Sequence, residues 1–539
     1  MLSRLRTFID KCAFPLLVII GAAVFGIHLT TVVDYPAAWF DEIEILEMGR
    51  FSFFDRFPQW SVNLFPGTDG TLHPPAPMFH YLAGLIQEGL YRLTGSFVPS
   101  RIFFLFSLPV AALLLCKWLL TKSIPQTAAF LTALFFLLDP NATICAHWYR
   151  PDLWTMCCAF GAMILLATTR GDTTWKRPTA CLLAGILTAT MLFLWITSML
   201  LLPLIGWEAL LSARPRSSDS CTSWTRSAIR DAISFTAGAL STTVLLLIPL
   251  YPHIPAIISQ YAEHSELGGT AGLSDGLAKR IIDFIKIAIR SPFVWPAALL
   301  GLPLGKRHFL HILMFIGLCA LMLATRVYHL RMVQLMPFLF LFTAIALTRA
   351  LSLTGKFLHA TRTLVIGGAL TCYCGLSVLA LNYAALPGEN TFDAFTRKLQ
   401  AALPMKSPRV YLYDMEHELY YSARALKWKM FSYTPRALIL EPGKTAHLLD
   451  TLDAVIITSA AEQPTADELK ALESHGFVKT VQILMPEPSG HALKRFFANL
   501  FYAHGYPSCK IFTRKRYPPT TRTTRTLRGQ TRRTTRPQL

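Results

Sequence analysis

Charge is what this chain lacks first. Only 15% of its 539 residues are Asp, Glu, Lys or Arg, while 53% are hydrophobic; a globular chain carries roughly 25% charge. That deficit, with a mean hydropathy of +0.41 and repeated long apolar runs, excludes an ordinary soluble fold. It predicts a polytopic α-helical membrane protein. A disulfide framework is lacking too. All cysteines but Cys221 and Cys509 lie in or beside apolar segments, where they act as small hydrophobes. The topology below puts those two on opposite sides of the membrane. No CxxC pair or His/Cys cluster has zinc spacing. A cleavable leader is not expected: Ala13–Val33 follows Arg4, Arg6 and Lys11, but it is too long and ends without a small-residue cleavage site. It reads as a retained helix. No basic-aromatic stripe or RNP-like motif offers a nucleic-acid surface. The tail after Thr513 supplies nine Lys/Arg, nearly half of the net charge of +19.

What is present is apolar helix. Eleven spans are expected near 13–33, 101–120, 126–146, 153–169, 179–195, 196–212, 232–250, 291–304, 308–325, 332–349 and 364–385. The stretch 179–212 also reads as one long helix, which would change the parity. Charge gives an independent check. With eleven spans, one side's loops hold seventeen Lys/Arg and five acids, and the other side, before residue 386, holds eleven Lys/Arg and fourteen acids. The positive-inside rule then makes the first side cytoplasmic, with the N-terminus inside and the C-terminal part outside.

Residues 1–385 are thus expected to form the membrane domain, with long outer segments at 34–100 and 251–290. The first is long for a connector and so reads as functional. Met78, Leu82, Leu85, Ile86, Gly89 and Leu93 recur at helical spacing against His80, Gln87, Glu88 and Arg92, as in a helix lying on the membrane. Residues 279–290 repeat the theme, with Lys279, Asp283, Lys286 and Arg290 on one face. Residues 386–513 are nearly neutral, with fourteen Lys/Arg and thirteen acids. Val410–Tyr413, Ala437–Leu440, Ala454–Thr458 and Val478–Leu484 read as strands; Glu416–Leu426 and Thr465–His475 read as helices, Thr465 and Glu468 standing in capping-box register. A small extracytoplasmic α/β domain is expected there. Residues 514–539, Thr/Arg-rich, read as a disordered arm or an anionic-lipid contact.

Chemistry-bearing residues collect on the outer side. Asp41 and Glu42 stand where the chain first leaves the membrane. Such a pair ligates a metal, accepts a proton or is simply solvated, and a solvated face of Asp41, Glu42, Glu44, Glu47 and Arg50 is the simplest account by composition. His73 is bracketed by Pro74 and Pro75. Arg101, Arg150 (with Asp152), Arg326, His329 and Arg331 sit at outer helix ends. Any one arginine could snorkel to headgroup level. Together, on the face that disfavours cations, they suit a phosphate bound by guanidinium groups.

The order of these features resembles the GT-C glycosyltransferases of the protein O-mannosyltransferase and aminoarabinose-transferase type. One helix precedes a long outer loop with an acidic pair (Asp41-Glu42) and a [His/Lys]-Pro-Pro element (His73-Pro74-Pro75). There follow an interfacial helix, a helix opening with Arg (Arg101), an Arg-x-Asp-like junction (Arg150-Pro151-Asp152) and a late pattern of His329, Arg331 and Pro337, with Met332 where an aromatic is usual. The resemblance covers about residues 1–385 and implies a polyprenyl-phosphate-linked sugar donor. It implies an inverting transfer with Asp41 as base, Glu42 assisting by position or through a divalent metal shared with Asp41, and His73, Arg150, His329 and Arg331 on the donor phosphate. Arg101 could instead be structural, paired to an acid of the outer loop. The acceptor would be a lipid, glycan or protein at the outer face of a bacterial cell membrane. The rivals are a transporter or flippase for lipid-linked substrates, and a ligase for lipid-linked glycans. Transporters usually show internal repeats and midplane charges; no clear repeat stands out here.

Overall fold

A computed structural model of the chain describes residues 2–33, 40–54, 62–66, 72–73, 80–147, 150–170, 174–213, 221–255, 257–258, 276–324, 332–352, 361, 364–375, 391–413, 417–433, 446–459, 464–486 and 506–514. Among them, six helices are long and apolar enough to cross a membrane: Cys12–Leu29, Val98–Thr121, Lys176–Leu194, Ala228–His253, Lys306–Ala324 and Met332–Ser352. Two bent pairs bring the number to eight if each is one span, and three shorter apolar helices, Asp152–Thr168, Ile196–Ser212 and Leu364–Gly375, stand at the other expected positions. The protein is a multi-pass helical membrane protein.

The expected straight helix over 126–146 is corrected. Gln126–Leu138 and Pro140–His147 meet at 53°. The cause is local: Pro140 cannot donate to the preceding turn, and Asp139 Oδ1 accepts from the amides of Asn141 and Ala142 at 3.0 and 3.2 Å. Asp139-Pro140 is thus a stop and a fresh N-terminal cap. Asn141, first residue of an Asn-Ala-Thr sequon, is buried, and its amide donates to Ile287 O (3.2 Å) and Ser291 Oγ (2.9 Å). It holds the corner of the second bent pair, Leu277–Ile289 and Val294–Leu304, which turns by 100°. The stretch 179–212 is two helices, parted at Trp195, whose backbone is extended (φ −159°, ψ 120°).

Small residues set the tightest helix contacts. A Cβ on Gly185 would lie 2.1 Å from Phe235 O, and one on Gly238 2.1 Å from Leu182 O. In lipid, apolar side chains gain little by leaving the solvent, so close backbone approach carries association.

Polar bonds between helices join ends that the charge pattern put on one side. On the side expected outside, His147 Nε2 meets His28 Nδ1 at 2.8 Å, Tyr81 OH donates to Leu246 O at 2.9 Å, Gln334 Nε2 donates to Thr197 Oγ1 at 3.1 Å, and Arg280 donates to the carbonyls of Leu323 and Ala324. On the other, Lys122 pairs with Glu208, which His311 also approaches, and Arg177 pairs with Asp231.

The C-terminal part is a sheet flanked by helices. Seven strands, β1 (Val62–Pro66), β2 (Leu72–His73), β3 (Arg409–Leu412), β4 (Lys429–Tyr433), β5 (Ala454–Thr458), β6 (Phe477–Ile483) and β7 (Cys509–Arg514), run in the order β2-β1-β4-β3-β5-β7-β6. The strands β1, β4, β3 and β5 are mutually parallel; β2, β7 and β6 are antiparallel additions. All five side chains of β5 are buried, as befits a strand covered on both faces. The expected capping box is present: Glu468 N donates to Thr465 Oγ1 at 3.3 Å, and Thr465 N to Glu468 Oε2 at 2.5 Å. Strands β4 and β7 and the helices Phe392–Ala402 and Ala446–Thr451 were not legible beforehand, and the expected strand Ala437–Leu440 lies outside the described residues. Two strands, β1 and β2, come from the first outer segment, so the sheet joins chain regions more than 300 residues apart. Arg514 ends β7 and donates to Leu449 O and Asp450 Oδ1; the tail beyond it lies outside the described residues.

Candidate active site

The acidic pair opens helix α2 (Phe40–Phe53). Asp41 lies in its first turn, with its side chain outside the described residues. The simple solvated face is overturned: Glu42 and Glu47 are both 0% exposed, and Ile43, Ile45, Leu46 and Met48 are buried around them. Carboxylates buried in this way cannot go unpaired without a cost of several kcal/mol. Glu42 Oε2 lies 3.6 Å from the Arg101 guanidinium. Arg101 is 2% exposed, not snorkelling, and donates to the carbonyls of Val32 (3.0 Å) and Val33 (3.2 Å) at the end of the first span. It thereby ties the first span, α2 and α4 (Val98–Thr121) together. Among the described residues no group of three His, Cys, Asp or Glu could hold a metal.

Helix α3 (Leu82–Thr94) packs on α2 backbone to backbone. A Cβ added to Gly49 would lie 2.2 Å from the carbonyl of Gly84, and one on Gly84 2.1 Å from Ile45 O. Two of the polar residues of α3 are withdrawn from water, Gln87 at 1% and Glu88 at 0% exposed, while Arg92 is exposed beside Leu93, which is 84% exposed. The amphipathic helix is there, with Gln87 and Glu88 of its polar face against protein.

A second cluster forms just before α3 and at the helix ends beyond it. Arg150 Nε donates to Asp152 Oδ2 at 2.7 Å, and its guanidinium carbon lies 4.5 Å from the centre of the Trp195 ring. His80 meets the same indole edge to face at 4.5 Å. Burial drives the His80 pKa from 6.5 down to about 3, and the charge of Arg150 adds to the effect, so its imidazole is neutral. Among the described residues, His80 Nδ1, Trp195 Nε1 and Asp152 Oδ1 are buried without hydrogen-bond partners. Leaving each such atom unsatisfied costs about 1–3 kcal/mol. Three around one guanidinium suit a polar ligand that supplies the missing bonds.

The two clusters share one end of the bundle, the end expected outside. His28, one turn before Val32, contacts His147, three residues before Arg150. Trp154 stacks on Phe103 at 5.0 Å and donates to its carbonyl, two residues past Arg101. Of the other expected site residues, His73 has its backbone in β2, opposite Phe65, with its side chain outside the described residues. Arg326, His329 and Arg331 lie outside them as well. Gln334, three positions after Arg331, is bonded to Thr197, two positions after Trp195. Sequence reasoning missed His80 and Trp195. The signals available were an aromatic at a span end and a histidine opening α3, both common enough to pass as background.

Against solved structures, the chain resembles ArnT from Cupriavidus metallidurans, with a TM-score of 0.55 over 92% of this chain and 97% of that one, at 11% identity. The two folds are alike. At that identity the likeness is one of fold, and the polytopic helical membrane architecture expected from the sequence is the architecture found. Weaker similarities are to an Archaeoglobus fulgidus oligosaccharyltransferase (TM-score 0.46, 12% identity, 82% of this chain and 68% of that one) and to the mycobacterial arabinofuranosyltransferase AftD (0.48, 15%, 93% and 41%). No protein-family model and no curated protein matches the sequence.

Proposed function

We propose that the chain is a glycosyltransferase of the cell membrane, moving a sugar from a polyprenyl-phosphate donor to an acceptor hydroxyl of a lipid, glycan or protein on the face where α2 lies. Residues 1–385 would be the membrane and catalytic domain, residues 386–513 the aqueous domain, and the N-terminus cytoplasmic. The observation that carries the reading is the paired arrangement at one end of a GT-C bundle: an acidic helix whose Glu42 is already engaged by Arg101, and a guanidinium site ringed by unpartnered buried polar atoms.

The chemistry is a displacement at the sugar's anomeric carbon. The acceptor oxygen forms the new C–O bond as the bond to the phosphate oxygen breaks, with inversion. Asp41 takes the acceptor proton as that bond forms, since a carboxylate is too weak a base to ionise a sugar hydroxyl beforehand. Glu42, held by Arg101, supports the first turn of α2. The leaving phosphate keeps the electron pair and is received by Arg150, with His73, His329 and Arg331 as further contacts. Asp152 steers the Arg150 fork through its 2.7 Å bond.

The test is transfer from a polyprenyl-phosphate sugar by the purified chain in lipid vesicles. Asp41→Asn is expected to lower turnover by about 10²–10⁴-fold without changing folding. Full activity in that variant would remove Asp41 from the mechanism.

A further inference from the structure

Helix α2 is gripped from both sides. Glu42 faces Arg101 in the membrane bundle. Five residues on, roughly 140° around the helix, Glu47 accepts the hydroxyl of Tyr420, from α-helix His417–Ala425 of the C-terminal part. Burial raises the Tyr420 phenol well above its usual range; Arg424 opposes that and Glu47 adds to it, so the hydroxyl stays protonated and donates. One turn further along the same helix, Arg424 forks onto both oxygens of Glu88 in α3, at 2.8 and 3.1 Å, over the ring of Tyr91 at 4.0 Å. Arg92 and Arg50 complete the charge balance on Glu88 and Glu47 at 2.7 and 3.2 Å. Between α2 and α3 the chain also gives β1 to the sheet, parallel to β4.

Apolar contacts would seat one domain on another without directional bonds. Two fully buried carboxylates are costly and are tolerated only with well-aimed partners, and a forked guanidinium fixes orientation as well as distance. Contacts at two azimuths of α2 set its rotation about its own axis. The Gly49–Gly84 contact passes any shift of α3 to α2, because there is no side chain between them to yield.

We propose that Tyr420 and Arg424 are positioning residues for the transfer reaction: from the aqueous domain, they fix the rotation of α2 and thereby the place of residue 41. The inference rests on the proposed function for its catalytic consequence, while its mechanical part stands on the contacts alone. The test uses the full chain in lipid nanodiscs with two readouts, amide hydrogen exchange and sugar transfer. In Arg424→Gln, residues 40–53 and 82–94 are expected to exchange at least about tenfold faster, with the spans unchanged. Turnover should fall about tenfold while the donor KM stays within about twofold. Combining Arg424→Gln with Glu88→Gln replaces the ion pair by an amide pair and should recover part of both losses. Tyr420→Phe removes one hydroxyl and should act in the same direction more weakly; it decides the matter if Arg424→Gln does not fold. Unchanged exchange over residues 40–53, or faster exchange with unchanged turnover, overturns the proposal. Wild-type protein that transfers no sugar would sink the glycosyltransferase reading, and the exchange readout would then decide the clamp by itself.

Discussion

Arg177 and Arg150 are both buried arginines at helix ends, both paired to an aspartate at 2.7 Å, and they stand at opposite ends of the bundle. Around Arg177 the bonding is closed. Its guanidinium also donates to Leu166 O at 2.6 Å, Thr169 Oγ1 at 3.2 Å and Ser212 Oγ at 3.0 Å, joining three helices. Around Arg150 the partners have bonds to spare: the second oxygen of Asp152, a nitrogen of His80 and the indole N–H of Trp195. Burying charge is equally costly at both ends, so the difference lies in what completes the bonding. At one end the protein completes it. At the other the residues suit completion by something that binds.

Arg177→Ala breaks the closed end. It leaves Asp231 buried with only the half-exposed Arg230 at 3.5 Å and should cost about 3–5 kcal/mol, seen as a large fall in thermal stability; turnover per folded molecule should not change. Arg150→Lys tests the open end. Lysine keeps the charge beside Asp152 but loses the planar stack on Trp195, so transfer should fall about 10–100-fold with little change in unfolding. If Arg150→Lys instead unfolds the protein and spares turnover, the two arginines are equivalent and the contrast fails.

Gly49→Ala probes packing at the open end without touching a charge. With a Cβ 2.2 Å from the Gly84 carbonyl, α2 and α3 must separate, at about 1–3 kcal/mol. Thermal unfolding measures the cost. Near neutral pH the smallest effect is a pH dependence. Folded His80 has a pKa of about 3 against 6.5 when exposed, so the unfolded chain binds the extra proton between those values. Stability should therefore fall as pH drops below 6.5, by about 1.4 kcal/mol per pH unit at most, and show no His80 contribution above it. His80→Gln should flatten that slope; an unaltered melting-temperature profile from neutral to acid pH would mean His80 is not buried beside Arg150.

The difference between the two arginines was invisible along the chain. Both are an Arg near the start of an apolar run, and snorkelling accounts for either one in isolation. What was legible was periodicity and charge placement. Long apolar runs have few ways to satisfy their backbone in lipid, so span positions could be read directly. The Asp139-Pro140 break was also written locally, in a residue pair that caps and stops a helix, and was overlooked because the run around it is so apolar.

What the sequence determined by itself, then, is the membrane fold, the small α/β domain with its Thr465 cap, and one end of the helices as the place where Asp41, Glu42, Arg101 and Arg150 stand. Those follow from local rules: hydropathy, capping and the charge bias of loops. Only the tertiary structure decided that Glu42 and Glu47 are buried, that Glu42 is taken by Arg101, that His80 and Trp195 surround Arg150, and that Tyr420 and Arg424 reach back across more than 330 positions to Glu47 and Glu88. A carboxylate on a polar helix face has the same sequence pattern whether it meets water or another domain. Which one it meets depends on what packs over it, and here that is a helix supplied by the far end of the chain.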